Sequence, residues 1–138
     1  MSNATLQDKG LLLLRLGFGI MFLLHGFPKI MGGPVVWEGL GGAMSFLGIT
    51  FVPQFWGFMA AVSESIGALC LLTGICVRPA SVFMCITMIV AAAMHFGEGA
   101  GIMGASHALE DGIVFLSFVV MGGGSLTIPK LVKRTHKV

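Results

Sequence analysis

Charge is what this sequence has least of. Asp, Glu, Lys and Arg make up 10% of its 138 residues and apolar residues 56%, where a water-soluble domain carries about 25% charged residues. Too little polar surface remains to cover a globule in water, which excludes an ordinary soluble domain. A basic stripe interleaved with aromatics is also missing, so nucleic acid is not an expected partner. The three cysteines, Cys70, Cys76 and Cys85, form no C-x-x-C and are odd in number. They read as small apolar fillers rather than a dithiol redox centre. No two histidines stand at H-x-x-x-H spacing, and no strand precedes Gly97, Gly99 and Gly101 to make them a nucleotide loop. No small-x-small site follows the first apolar run, so a cleaved signal peptide is not expected.

What the chain has instead is length in apolar runs. Residues 11–31 give roughly 31 Å of helix at 1.5 Å per residue, the thickness of a bilayer's hydrocarbon core. Further runs cover 54–76, 78–96 and 107–126, followed by a basic tail over 127–138. The expected fold is an all-α membrane protein, a single four-transmembrane-helix bundle. Between the first two spans, the glycine-rich 36–48 stretch is too short to cross and reads as a short interfacial or re-entrant helix flanked by Trp37 and Trp56. The stretch from Gly97 to Ser106 is glycine-rich and reads as a flexible loop.

Basic residues fix the expected orientation. Four spans put Lys9, Arg15, Arg78, Lys130, Lys133, Arg134 and Lys137 on one side and leave only Lys29 on the other. The positive-inside bias then places both termini in the cytoplasm. The tail reads as an anchor to anionic lipid.

The first span carries Arg15, His25 and Lys29, and an ionisable side chain near the bilayer centre costs about 2.5–3.5 kcal/mol on insertion scales. A helix that keeps them is expected to face a polar interior. Arg15 lies about 6 Å from the cytoplasmic end, near enough to snorkel. His25 lies about 9 Å below the other end, with Lys29 one turn above it on the same face. Glu64 is the one ionisable group of span two, set among Ala60, Ala61, Gly67 and Ala68. A carboxyl in such a wall needs a cation beside it, Lys29 or another. His95 ends span three. His107, Glu110 and Asp111 open span four and can face one direction. The expectation is a polar pocket opening away from the cytoplasm and lined from four helices. Glu64 and His95 are the candidate catalytic groups, and His25, Lys29, Glu64, His107 and Glu110 the candidate cofactor-binding ones. A Lys29–Glu64 pair that merely pins two helices is the competing reading. The three histidines, helped by Glu110, are also the set a metal or haem would need, against the plainer reading of hydrogen-bonded histidines at helix ends.

Arg15-Leu16-Gly17 followed by His25-Gly26-Phe27-Pro28-Lys29-Ile30 resembles the first-helix signature of the DoxX family, DoxX/DoxD-like four-helix integral membrane proteins. Leu47-Gly48, Glu64 with Gly67, Leu71-Leu72-Thr73-Gly74 before Arg78-Pro79-Ala80, His95 and Glu110 continue the likeness, over about residues 10–129. The family's ending, a Gly-Pro-Gly turn and then Ser-Leu-Asp, is altered to Gly122-Gly123-Gly124 and Thr127-Ile128-Pro129. No role of the terminal aspartate therefore carries over. The resemblance implies a four-helix inner-membrane protein in a family that includes a subunit of a quinone-linked thiosulfate oxidoreductase and proteins associated with membrane redox complexes.

Three readings of function stand at this point. In the first, the chain is a subunit or accessory of a quinone-linked membrane oxidoreductase, and a quinone head enters from the bilayer to meet Lys29, Glu64 or His95. In the second, it is a non-enzymatic adaptor that recruits a soluble oxidoreductase. The third, a conduit for a small solute or proton, is weakened because the cytoplasmic half offers only Arg15. Whether the chain is itself an enzyme stays open. The expected partners are the lipid bilayer, a redox partner protein and further copies of the chain in a homo-oligomer.

Overall fold

The computed structural model describes residues 5–135, with side chains through Lys133. Lys137 and the Arg134 side chain, counted above in the basic tail, lie outside the described residues. The chain folds as α1 (Leu6–Met31), α2 (Gly33–Gly41), a 3₁₀ helix (Gly42–Leu47), α3 (Pro53–Thr73), α4 (Val77–Gly97), α5 (Gly101–Met121) and α6 (Ile128–Thr135). Four of these helices, α1, α3, α4 and α5, are long and apolar enough to cross a membrane.

Each spanning helix buries one narrow stripe and leaves the rest of its surface apolar. On α1 the stripe is Leu11, Arg15, Gly19, Phe22 and Gly26, and on α3 it is Gly57, Ala61, Glu64, Ala68 and Leu71. Spacings of three and four residues keep such positions on one face. Small residues in the stripes let backbones come close, the usual device where lipid outside is as apolar as the core. A Cβ on Gly26 would stand 2.7 Å from the Ser65 nitrogen, and one on Gly19 would stand 2.7 Å from Leu72 Cγ. The outward faces, with Leu13, Ile20 and Leu24 on α1 or Ile113, Leu116 and Val120 on α5, remain exposed. Such surfaces belong in hydrocarbon.

The helices form two hairpins, α1 with α3 and α4 with α5, joined by a lighter α3–α4 contact. The backbones of α1 and α5 barely approach each other. The ring of Phe115 spans that gap, edge-on to Phe22 at 4.7 Å and to Phe18 at 6.0 Å between ring centroids.

The short segment between α1 and α3 lies across one end of the bundle. A Cβ on Gly57 would collide with the Trp37 carbonyl, one on Gly41 with the Pro53 carbonyl, and one on Gly97 with the Phe46 ring. Three missing side chains thus seat α2 on α3 and the 3₁₀ helix on the last turn of α4.

The boundaries differ from the sequence reading in informative ways. The fourth span begins at Gly101, not 107, so the expected flexible loop shrinks to residues 98–100. Gly101 and Gly104 cost helix propensity, but Ala105 is fully buried, and packing against α4 outweighs that cost. The span ends at Met121, not 126, because Gly122 takes φ +71°. Span two ends at Thr73, where Gly74 takes φ +75°. The 36–48 stretch is two elements, α2 and a 3₁₀ helix, rather than one helix.

Arg15 does not snorkel. It is 1% exposed, and its guanidinium joins three segments. Nε donates to the Leu71 carbonyl at 2.9 Å, while Nη1 donates to the Gly123 carbonyl and, at 3.0 Å, to that of Leu126. Leu71 lies in the last turn of α3, whose carbonyls have no helical partner, so the planar fork meets acceptors the backbone cannot otherwise satisfy. Close by, Asp8 caps its own helix with Thr5 and accepts the Ser125 backbone N–H at 2.7 Å. The first turns of α1 and the turn after α5 are therefore tied at the bundle end opposite α2.

Candidate functional site

The gap between the two hairpins is a cleft of about 570 Å³. Along α1 it runs from Leu13 to Lys29, about 24 Å of helix. Leu13, Leu14, Gly17, Phe18 and Met21 line its apolar length. At the end nearest α2 the lining turns polar, with His25, Lys29, Glu64, His95, His107 and Asp111 contributed by four different helices.

Lys29 and Glu64 form the centre of that polar end. Gly26 brings α1 against Ser65 and the Glu64 backbone. Lys29, one turn further along α1, then reaches across, and its Nζ donates to Glu64 Oε1 at 2.8 Å and Oε2 at 2.6 Å. The Glu64 side chain is 5% exposed and that of Lys29 is 31% exposed. The ammonium thus supplies the cation a buried carboxylate requires, while keeping a path out of the protein. Trp37 Nε1 donates to the Lys29 carbonyl at 3.0 Å, fixing the end of α1 under the short crossing segment.

The histidines surround this pair. His25 Nδ1 donates to the Met21 carbonyl at 2.7 Å, a bond in which the carbonyl can only accept, so the neutral ring presents Nε2 as an acceptor. His107 Nε2 stands 3.5 Å from Asp111 Oδ2, with the His107 side chain 82% exposed and that of Asp111 10% exposed. His95 is half-buried on the last turns of α4.

Of the residues singled out by sequence, His25, Lys29, Glu64, His95 and His107 line this one cleft. Glu110 does not: it is exposed on another side of α5. Its neighbour Asp111 takes the inward position. The signal lay in the α5 stripe, because Asp111 falls in phase with Ala105, Ala108, Phe115 and Phe118, whereas Glu110 falls outside it. Among the described residues no group of three His, Cys, Asp or Glu side chains could hold a metal ion.

An ion pair, hydrogen-bonding imidazoles and a carboxylate at the head of a long apolar slot can bind a polar head group and move protons to or from it. Opposite them the slot is open along α1, and Leu13 and Met21 are exposed on its rim.

The DoxX family profile matches residues 10–97. "Putative oxidoreductase CatD" of Bacillus subtilis (strain 168) is 33% identical over 80 residues, which make up 58% of this chain and 54% of that protein. The match thus spans about half the length of the curated relative. No solved structure matches. The family profile takes in more than half of the chain, including the first-helix signature, Glu64 and His95, and with four apolar helices in place the protein belongs to the DoxX family of membrane proteins.

Proposed function

We propose that the protein is a subunit or accessory of a quinone-linked membrane oxidoreductase, with the quinone head at the Lys29–Glu64 end of the cleft and its tail along α1. The observation that carries this reading is the shape of the cleft: polar groups at one end only, then about 12 Å of apolar groove, from Met21 back to Leu13, whose rim faces hydrocarbon. A neutral ring with carbonyl edges and an isoprenoid tail fits that division. The name of the Bacillus relative, "Putative oxidoreductase CatD", points the same way. When bound, the quinone would supply the two-electron chemistry that cysteines spaced as these are do not offer.

Lys29 Nζ is positioned to donate to a quinone carbonyl without leaving Glu64, since an ammonium has three protons and two are engaged. His95 and His25 offer ring nitrogens nearby. The exposed His107, beside Asp111, gives protons a way between water and the cleft. The electrons reach or leave the quinone through a redox partner protein. The basic residues at the end carrying α6 support an orientation with that end and both termini in the cytoplasm, and the family likeness supports a bacterial inner membrane as the setting.

The test is extraction of the protein purified in mild detergent for bound quinone, followed by titration with a short-chain quinone. Glu64→Gln is expected to weaken binding, whereas Glu38→Gln, at an exposed glutamate hydrogen-bonded to Gln54, is expected to leave it unchanged. Equal effects, or no saturable binding to the wild-type protein, would overturn the reading in favour of an adaptor that carries no quinone.

A further inference from the structure

A second chamber lies on the far side of the ion pair. It has about 550 Å³ and is enclosed by α2, the 3₁₀ helix, α3 and α4. Lys29, Glu64, Ala91 and His95 line both this chamber and the cleft, so the ion pair stands in a wall common to the two. Everything else in the chamber's lining differs.

Its access differs too. The short crossing segment covers the chamber from the bundle end, held down by the Gly41–Pro53, Gly57–Trp37 and Phe46–Gly97 contacts. The chamber opens instead on the α3–α4 side, where Phe55, Phe83 and Ile86 are about half exposed in a surface that belongs in hydrocarbon. A ligand reaching it arrives dissolved in the bilayer.

The lining sets the chemistry of that ligand. Phe55, Trp56 and Phe83 offer aromatic faces and edges, and Met44, Met59 and Met94 offer polarisable sulfur that packs well against rings. No net charge waits for a partner there, because Lys29 and Glu64 neutralise each other. An ionic ligand would have to break that pair. The Thr87 hydroxyl proton is already engaged, donated to the Ser63 hydroxyl oxygen at 3.1 Å or to the Phe83 carbonyl at 3.0 Å. A saturated acyl chain would use neither the ring faces nor the polar wall.

We propose that the chamber between α3 and α4, roofed by α2 and the 3₁₀ helix, is a second binding site that takes a neutral, planar aromatic lipophile from the bilayer and seats its hydrogen-bonding edge at the wall it shares with the cleft. The proposal stands apart from the quinone reading of the cleft. It holds whether the occupant is a second molecule of that kind or another aromatic compound.

Trp56 lines this chamber and not the cleft, so its fluorescence is a local reporter. The full chain in nanodiscs is titrated with 1,4-dibromobenzene, a neutral aromatic heavy-atom quencher. The expected result is saturable quenching that disappears in Trp56→Phe. Ala60→Phe, which fills only this chamber, should raise the half-saturating concentration at least about tenfold, whereas Ala108→Phe, which fills only the cleft, should change it less than about twofold. Val90→Phe fills the chamber from α4 and takes over if Ala60→Phe does not fold. Quenching that rises linearly and equally in wild type and both fillers, or saturable quenching lost in Ala108→Phe and kept in Ala60→Phe, would overturn the proposal. Either result leaves the quinone titration of the cleft to be judged on its own.

Discussion

Lys29 on α1 donates to both carboxylate oxygens of Glu64 on α3, at 2.8 and 2.6 Å, joining positions 35 residues apart. The two partners are unequal, since the carboxylate is almost wholly enclosed while the ammonium is about one-third exposed. Lys29→Met strands a buried charge and should cost about 2–4 kcal/mol. Glu64→Gln leaves a lysine that can still reach water and should cost less. The double variant Lys29→Met/Glu64→Leu removes both charges and should recover most of the loss. Thermal unfolding in detergent reads all three, and a double variant no more stable than Lys29→Met would contradict this account of the pair.

Two adjacent carboxylates on α5 separate site from surface. Asp111 faces the cleft beside His107, and Glu110 points elsewhere. Asp111→Asn should shift the affinity for a short-chain quinone by about fivefold, the scale of one hydrogen bond. Glu110→Gln should not move it. The reverse order in the same titration would restore Glu110 to the site.

Arg15 satisfies three carbonyls from two segments, the last turn of α3 and the turn after α5. Arg15→Met leaves them without a donor and should destabilise the fold by about 3 kcal/mol or more. Arg15→Lys keeps the charge but not the planar fork, and should recover about half. If Lys restored the full melting temperature, charge alone rather than fork geometry would be holding the segments together.

Glycine contacts seat the short crossing segment. Gly57→Ala drives a methyl into the Trp37 carbonyl and should cost about 1–3 kcal/mol, with the 3₁₀ helix becoming open to limited proteolysis. At Gly39, in the same segment, a methyl would enter open space with nothing within 4 Å, so Gly39→Ala should stay within about 0.5 kcal/mol of wild type.

Orientation is testable at Cys76, which is exposed at the bundle end that carries α6. In a Cys70→Ala/Cys85→Ala background, a membrane-impermeant maleimide should label Cys76 in inverted vesicles and not in intact spheroplasts. Labelling from outside would reverse the proposed topology.

The spans are legible in the sequence because each is a long apolar run, and the family likeness because Arg15, His25, Lys29, Glu64 and His95 keep their order. The cleft's polar end is legible in part, since Glu64 and Lys29 lie at depths where an unpaired charge is costly. Sequence reasoning lets Glu110 and Asp111 both face the site and singles out Glu110 through the family likeness; reading the glycines between 97 and 104 as a loop hides the true start of α5 and with it the phase that separates the two. The partners of Arg15 are beyond sequence reasoning, being backbone carbonyls that any residue could present. So is the separation of α1 from α5, which depends on how two hairpins lean rather than on either one's pattern.

The clasp at Arg15 also has a consequence for biogenesis. Two of its three acceptors, Gly123 and Leu126, lie 108 and 111 positions further along the chain. During synthesis the first helix enters the bilayer before any of these carbonyls exists; the second spanning helix supplies Leu71, and the other two come only after the fourth has been inserted and the glycine turn behind it has emerged. A nascent chain that ends before that turn has only the Leu71 carbonyl to offer this guanidinium.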